Sequence, residues 1–187
     1  NKIVSEIKAE AQVVMKELGA EPREIRSERV TVWFDTSSRK ARAAYLDGGF
    51  RYTDPKNTAS AFRANYDIVN DRIVLTTDPG YQATVVADGQ TIKAKQIELS
   101  PRAQTAHATG SVIAELVSKG GGASASATSL FPGGNKPVYV NADDLIMRQV
   151  TKIALFTGRV RAWQDNNTLL ASELQMQGNG ETVTARG

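Results

Sequence analysis

The sequence has no cysteine, a single histidine (His107) and no apolar run near the roughly 20 residues that a membrane-spanning helix needs. Without cysteine, structural disulfides, thiolate metal sites and cysteine nucleophiles are excluded. With one histidine, a histidine-based metal site or a catalytic triad has almost nothing to build on. These absences argue against the commonest catalytic and metal-binding classes.

The carboxylates offer no catalytic arrangement either. Asp143 and Asp144 form the closest pair, but adjacent side chains on a strand point to opposite faces, so they do not suit an acid/base couple. His107, between Ala106 and Ala108, falls at an outward strand position. We therefore expect no catalytic residue, no metal, no cofactor and no enzymatic activity.

Charges of both signs are nearly balanced. The 187 residues include 23 Lys+Arg and 20 Asp+Glu, which gives a net charge of +3 and a pI of about 9.2. The charges are interspersed, without a basic run or an aromatic-rich platform, so the sequence does not predict nucleic-acid binding. The chain starts at Asn1 without a methionine, which fits a removed signal peptide or anchor.

Turn signals interrupt the chain at short intervals, and alternating apolar residues lie between them, as at Ile97/Leu99 and Phe156/Val160. Asp88-Gly89 is the best hairpin turn. Short alternating segments at this spacing are typical of a β-sandwich, barrel or solenoid, so the predicted fold class is all-β. The turn signals lie at 54–57, 78–80, 88–89, 100–101, 164–167 and 177–180.

A Gly/Ala/Ser-rich segment at about 118–136 differs from the rest of the chain. Few of its residues can bury apolar area, which favours a flexible surface loop. Its glycines do not form a phosphate-binding loop, because Lys136 is followed by Pro137 instead of Ser or Thr. We interpret the segment as an insertion between strands of a single domain that spans residues 1–187.

Residues 1–18 satisfy two periodicities. One helical face holds Ile3, Ile7, Ala11, Val14 and Leu18, whereas one strand face holds Ile7, Ala9, Ala11, Val13 and Met15. Local propensity favours the helix. The internal repeat described next favours a strand, and strand propensity depends strongly on context, so we expect a strand.

An internal repeat organises the chain. Residues 44–77 align with 154–187 without a gap, at a constant offset of 110. A shorter unit, Ala-x-x-[Leu/Ile]-x-[Leu/Met] followed by Gly-x-Val, starts at Ala94 and again at Ala142. Each copy fits a pair of strands with one apolar face, and stacked copies would share a continuous apolar interior. Identical pairs are Ala44/Ala154, Gly48/Gly158, Arg51/Arg161, Asn57/Asn167, Thr58/Thr168 and Ala61/Ala171.

The segments VNADDL at 140–145, TGRVRAWQ at 157–164 and LASEL at 170–174 resemble the OstA-like fold of the LptA family. These are periplasmic lipopolysaccharide-transport proteins, with LptC and the N-terminal domain of LptD as relatives. The resemblance implies an open β-jellyroll, a V-shaped sandwich of antiparallel sheet built from repeated strand pairs. It also implies a periplasmic location, lipid A acyl chains in the interior, and edge-to-edge strand addition to other lipopolysaccharide-transport proteins or to further copies in a homo-oligomer.

Holding acyl chains requires large inward apolar side chains, since each buried methylene contributes roughly 0.8 kcal/mol. The small residues Ala106, Ala108 and Gly110 in one inward row would leave space inside. The alternative is that the inward residues fill a closed core. By alternation, the candidate lipid-binding residues are Val32, Phe34, Leu46, Phe50, Tyr66, Leu75, Ile97, Leu99, Val112, Leu145, Met147, Phe156, Val160, Leu174 and Met176.

Arg51, Arg159 and Arg161 are candidate contacts for head-group phosphates, with solvated surface charges as the alternative. The resemblance and the residues together predict a carrier that binds lipopolysaccharide (lipid A) and passes it towards the outer membrane. Two alternatives stay open. One is a non-transport β-repeat scaffold that binds protein partners through its sheet edges. The other is a carbohydrate-active β-enzyme, which would need carboxylates that converge in one cleft.

Overall fold

The computed structural model describes residues 4–17, 22–87, 89–117, 136–178 and 182–187. They form thirteen strands, which confirms the all-β prediction, and no helix among them is long and apolar enough to cross a membrane. The strands are β1 Glu6–Glu17, β2 Arg23–Phe34, β3 Ala41–Thr53, β4 Asn57–Asp67, β5 Arg72–Thr76, β6 Ala83–Ala87, β7 Gln90–Ala94, β8 Gln96–Ser100, β9 Thr105–Leu116, β10 Val138–Arg148, β11 Ile153–Gln164, β12 Asn167–Gln177 and β13 Thr182–Arg186.

All thirteen strands belong to one antiparallel sheet in the order β1-β2-β3-β4-β5-β8-β9-β10-β11-β12-β13. The β6–β7 hairpin connects β4 to β9 a second time. Residues 63–67 of β4 pair with β5 and residues 57–60 pair with β6. Likewise, residues 105–109 of β9 pair with β8 and residues 113–115 pair with β7. The strands β4, β5, β8, β9, β7 and β6 therefore close into a ring of hydrogen-bonded neighbours.

Bulges near the middle of the long strands fold the sheet. Two consecutive residues have positive φ at Gly48-Gly49 in β3 (+78° and +70°) and at Gly158-Arg159 in β11 (+71° and +43°). Gly110-Ser111 in β9 and Ala11-Gln12 in β1 share this conformation. The strand register shifts at these bulges. An inserted pair of this kind bends a strand, so each long strand continues from one layer into the next.

The bulges divide the sheet into two layers. Layer one contains β5, β8, β13 and the adjoining strand halves, such as residues 144–148 of β10. Layer two contains β6, β7 and the other halves, such as residues 138–142 of β10. Inward side chains from both layers belong to one buried core, so the layers face each other across it. This arrangement confirms the antiparallel jellyroll that the resemblance to the LptA family implied.

The structure tests several local predictions. The β6–β7 hairpin occurs at the predicted turn, with Ala87 paired to Gln90 and Gly89 at φ +79°. The Gly/Ala/Ser-rich insertion falls between neighbouring strands, since Leu116 of β9 pairs with Val138 of β10. Residues 118–135 lie outside the described residues, so their flexibility stays a prediction, as does the single domain.

The N-terminal segment is a strand over Glu6–Glu17, as the repeat suggested. It pairs with β2 on both sides of the bulge at Ala11-Gln12. These pairings satisfy the backbone groups that face β2 and override the local helix propensity. The offset of 110 likewise superimposes β3-β4-β5 on β11-β12-β13, and it aligns the bulge glycines Gly48 and Gly158.

Asp54 closes the turn between β3 and β4. Its Oδ1 accepts hydrogen bonds from the backbone N–H groups of Lys56 (2.8 Å) and Asn57 (2.7 Å), and the Tyr52 hydroxyl donates to Oδ2 (2.7 Å). Burial alone would raise the pKa of Asp54, but hydrogen bonds from Tyr52, Asn57 and Lys56 outweigh it and lower the pKa from 3.8 to about 2.

Asp54→Asn is expected to reduce the loss of stability between about pH 4 and pH 2. Because the folded pKa lies below the usual value of 3.8, the carboxylate stabilises the fold above that pH and this contribution disappears as the pH falls through about 2. The contribution is about 1–2 kcal/mol. Urea unfolding of the wild-type protein and of Asp54→Asn at neutral and acidic pH measures this contribution. Parallel pH profiles of the free energy of unfolding would contradict the prediction.

Candidate functional site

Inward side chains form apolar rows that cross every strand of layer one. In the row nearer the bend, the deep row, each residue is the cross-strand partner of the next. Its central members Leu75, Ile97, Leu145 and Phe156 are 0–1% exposed. The deep row is Ala9–Val30–Leu46–Ala64–Leu75–Ile97–Ala108–Leu145–Phe156–Leu174–Ala185.

The rim row lies two residues farther from the bend along each strand. Val32, Tyr66, Leu99 and Met147 are half-buried here, whereas the deep row beside them is buried. The increase in exposure away from the bend at these four positions indicates that the layers separate there, whereas Met176 of the same row is only 4% exposed. The rim row is Ile7–Val32–Ala44–Tyr66–Ile73–Leu99–Ala106–Met147–Ala154–Met176–Val183.

Layer two presents a matching inward row across ten strands. Tyr52 is the one member with a polar atom, and its hydroxyl is bonded to Asp54. Rows of ten or eleven strands at about 4.8 Å spacing extend for roughly 45 Å. The layer-two row is Met15–Ile25–Tyr52–Ala59–Val85–Ile92–Ala114–Val140–Ala162–Leu169.

The fifteen candidate lipid-binding residues fall into three groups. Ten are in the buried core: Leu46, Phe50, Leu75, Ile97, Val112, Leu145, Phe156, Val160, Leu174 and Met176. Val32, Leu99 and Met147 are partly buried and pack against that core. Phe34 and Tyr66 are half-buried in the outer parts of β2 and β4. The role of all fifteen in lipid binding stays a prediction.

Several row members were not among the predicted residues, including Val30, Ile73, Val140 and Val183. Val30 alternates with Val32 and Ile73 alternates with Leu75, so the inward positions of these two residues were visible in the sequence. The others required the register between strands, which alternation within a single strand does not provide.

Two cavities lie mainly outside the apolar rows, although the candidate residue Phe34 lines the first and Ala106 of the rim row lines the second. One, of about 370 Å³, is lined by Glu6, Trp33, Asp35, Arg42 and neighbouring residues near the start of β1. The other, of about 240 Å³, lies on the outward face of layer one beside His107. The deep row is packed by its own side chains, so a ligand would have to bind along the rim row or part the two layers.

The three candidate phosphate contacts do not face the apolar interior. Arg159 is at the bend, where its Nη2 donates to Asp143 Oδ1 at 2.5 Å. The ion pair raises the pKa of Arg159 and lowers that of Asp143. Arg51 and Arg161 lie on the outward face of layer two, where the Arg161 guanidinium is 5.4 Å from the centre of the Trp163 ring. Phosphate binding by these arginines stays a prediction.

The polar groups considered for catalysis do not converge. Asp143 pairs with Arg159, whereas Asp144 Oδ1 is 3.8 Å from His107 Nε2. Both pairs lie outside the apolar interior. Across the described ranges, no three His, Cys, Asp or Glu side chains are grouped so that they could hold a metal ion.

An antiparallel sheet folded along a line of bulges around an apolar interior is the β-jellyroll of LptA-type proteins. The crystal structure of LptH from Pseudomonas aeruginosa, the LptA-homologous periplasmic component of the conserved lipopolysaccharide transport device, matches the chain with a TM-score of 0.54 and 12% identity. The match covers 70% of this chain and 82% of LptH, and it confirms the OstA/LptA-like fold. No protein-family model and no curated protein matches the sequence.

Proposed function

We propose that this protein is a non-enzymatic periplasmic carrier that binds lipopolysaccharide and holds lipid A acyl chains along its apolar rows. The observation that carries the proposal is the continuity of these rows to both ends of the sheet. Ile7 and Met15 on β1 stay apolar although they are 51% and 36% exposed. Exposed apolar side chains contribute little to the stability of a closed core, whereas an apolar groove that continues past the edge strand requires them.

Acyl chains along the rim row would be stabilised by the burial of methylenes, at roughly 0.8 kcal/mol each. The layers already separate around Leu99 and Met147 of this row, so binding there disturbs the packed deep row least. The fold shared with LptH, a component of a lipopolysaccharide transport device, supports the same class of ligand and location. Partners of the same transport class, or further copies of this chain, would join at the edge strands β1 and β13.

Site-specific photocrosslinking to lipopolysaccharide tests the proposal. Probes at the rim residues Leu99 and Met147 are expected to capture lipid. Probes at Ile146 and His107, which are outward on β10 and β9, serve as controls because Ile146 is the chain neighbour of Met147 and pairs with His107. Equal capture at inward and outward positions would overturn the groove.

A scaffold without transport activity is the second candidate, and the packing of the deep row favours it. Ile97 and Phe156 are 0% exposed, as in a filled core. If Leu99 and Met147 capture no lipid under conditions in which a known carrier does, the interior is structural. The sheet edges would then be the functional surface.

A further inference from the structure

The outward face of layer two carries a row of residues that contains four cations and no acid. One residue comes from each of ten strands, and eight of the ten are exposed. We name this row the basic stripe. It consists of Val14–Arg26–Arg51–Ser60–Thr84–Lys93–Ile113–Asn141–Arg161–Leu170.

Arginines on the outward face of layer one have acidic partners. Arg29 and Arg63 both pair with Asp47, Arg72 pairs with Glu98 at 2.6 Å, and Arg186 pairs with Glu173 at 3.1 Å. These pairs cancel the charges of both signs along that face. Most cations there are therefore neutralised within the protein, although Arg148 at the end of β10 has no ion pair among the described residues.

Three of the four cations in the basic stripe lack this compensation. Within the part of the chain that the structure describes, Arg51 and Lys93 have no hydrogen bond or ion pair, and Arg161 contacts only the Trp163 ring. Arg26 pairs with Glu24, yet it also lies directly across from Arg51. Like charges opposite each other destabilise a sheet, so the stripe keeps positive charge that the fold does not need.

Apolar side chains are exposed along the same stripe. Val14, Ile113 and Leu170 are 47%, 37% and 73% exposed. In the neighbouring row, Tyr139 and Trp163 stack with their ring centres 5.5 Å apart. A nucleic acid would use the cations but gain little from exposed aliphatic groups. The surface of an anionic bilayer uses the cations, the aliphatic groups and the aromatic rings together.

We propose that the basic stripe docks on a bilayer that contains anionic phospholipid. Arg26, Arg51, Lys93 and Arg161 contact phosphate groups, and the aliphatic residues enter the boundary between head groups and acyl chains. The apolar rows face the other side of layer two, so docking leaves the interior free. The inference goes beyond the carrier proposal and does not depend on it, because it concerns the opposite face.

Vesicle flotation measures this docking. The full chain is expected to float with vesicles of phosphatidylcholine and phosphatidylglycerol at low salt, and much less with phosphatidylcholine alone or at high salt. Each cation near an anionic surface contributes about fivefold in affinity. The double variant Lys93→Gln/Arg161→Gln should therefore lower the partition coefficient by about 25-fold, and Arg26→Gln/Arg51→Gln by about 5- to 25-fold because Arg26 is paired with Glu24.

Arg72→Gln/Arg186→Gln is the matched control, because it removes the same charge from layer one and should leave flotation nearly unchanged. Leu170→Ser is expected to weaken binding without a change in charge. The proposal is overturned if the wild-type chain does not float, if the control loses as much binding as the stripe variants, or if phosphatidylcholine alone binds equally. It is also overturned if Leu170→Ser has no effect and duplex DNA competes for the stripe, since the surface would then be a polyanion site.

Discussion

Leu174→Ala is expected to lower the free energy of unfolding by about 2–5 kcal/mol. Leu174 belongs to the deep row, is 0% exposed and lies between Phe156 and Ala185 on neighbouring strands. Truncation removes apolar contacts and leaves a cavity. The two hydrogen-bonded layers cannot easily move together to fill it. Urea denaturation monitored by tryptophan fluorescence measures the loss.

Leu170→Ala is the control for this prediction, because the same strand carries both leucines. Leu170 is 73% exposed on the outward face, and its truncation should change stability by less than about 0.5 kcal/mol. A small effect at Leu174 would mean that the layers do not pack on each other at the deep row. The interior would then be an open groove in the free protein, instead of one that opens for its ligand.

Gly158→Ala is expected to lower the free energy of unfolding by about 2–4 kcal/mol. Gly158 has φ +71°, and a Cβ atom there would lie 2.6 Å from Asp143 Oδ2 and 3.0 Å from Asp143 Cβ. The substitution therefore places a side chain on a residue that must keep the left-handed conformation. It also displaces Asp143 from its ion pair with Arg159. Thermal and urea unfolding of the variant measure the combined cost.

Gly49→Ala separates the two contributions. Gly49 has nearly the same φ, +70°, but a Cβ there meets no atom within 4 Å, so only the backbone term of about 1–2 kcal/mol should appear. Asp143→Ala in the Gly158→Ala background is expected to recover part of the difference. Equal losses for the two glycine variants would show that the contact with Asp143 does not matter to the bend.

The strands themselves were predictable because alternation and turn residues are local signals. The repeat at an offset of 110 aligned Gly48 with Gly158, and these glycines start two of the bends of the sheet. A glycine beside an inward row indicates a positive φ, which few other residues adopt. The position of a bend can therefore be inferred from a single sequence. The jellyroll itself was implied by the resemblance of the segments at 140–145, 157–164 and 170–174 to the LptA family.

The features that depend on register were not predictable. Alternation identified Leu99 and Met147 as inward, but not that Ala106 joins them in one row. The second connection of β4 to β9 through the β6–β7 hairpin also has no local signal, because it depends on strands that pair far apart in the chain. The compensation of Arg29 by Asp47, and its absence at Arg51, likewise appears only once neighbouring strands are aligned.

The ring of six strands has a consequence for how the fold comes apart. Every strand in the ring is hydrogen-bonded to a neighbour along both of its edges, so no ring strand can detach without breaking pairings on two sides. Outside the ring, β1 and β13 each contact one neighbour only, as terminal units of a repeat array do. Amide protons in the ring therefore exchange through global unfolding, and those of the two outermost strands through local opening. The central ring therefore unfolds only cooperatively, whereas β1 and β13 open and close locally and independently of each other.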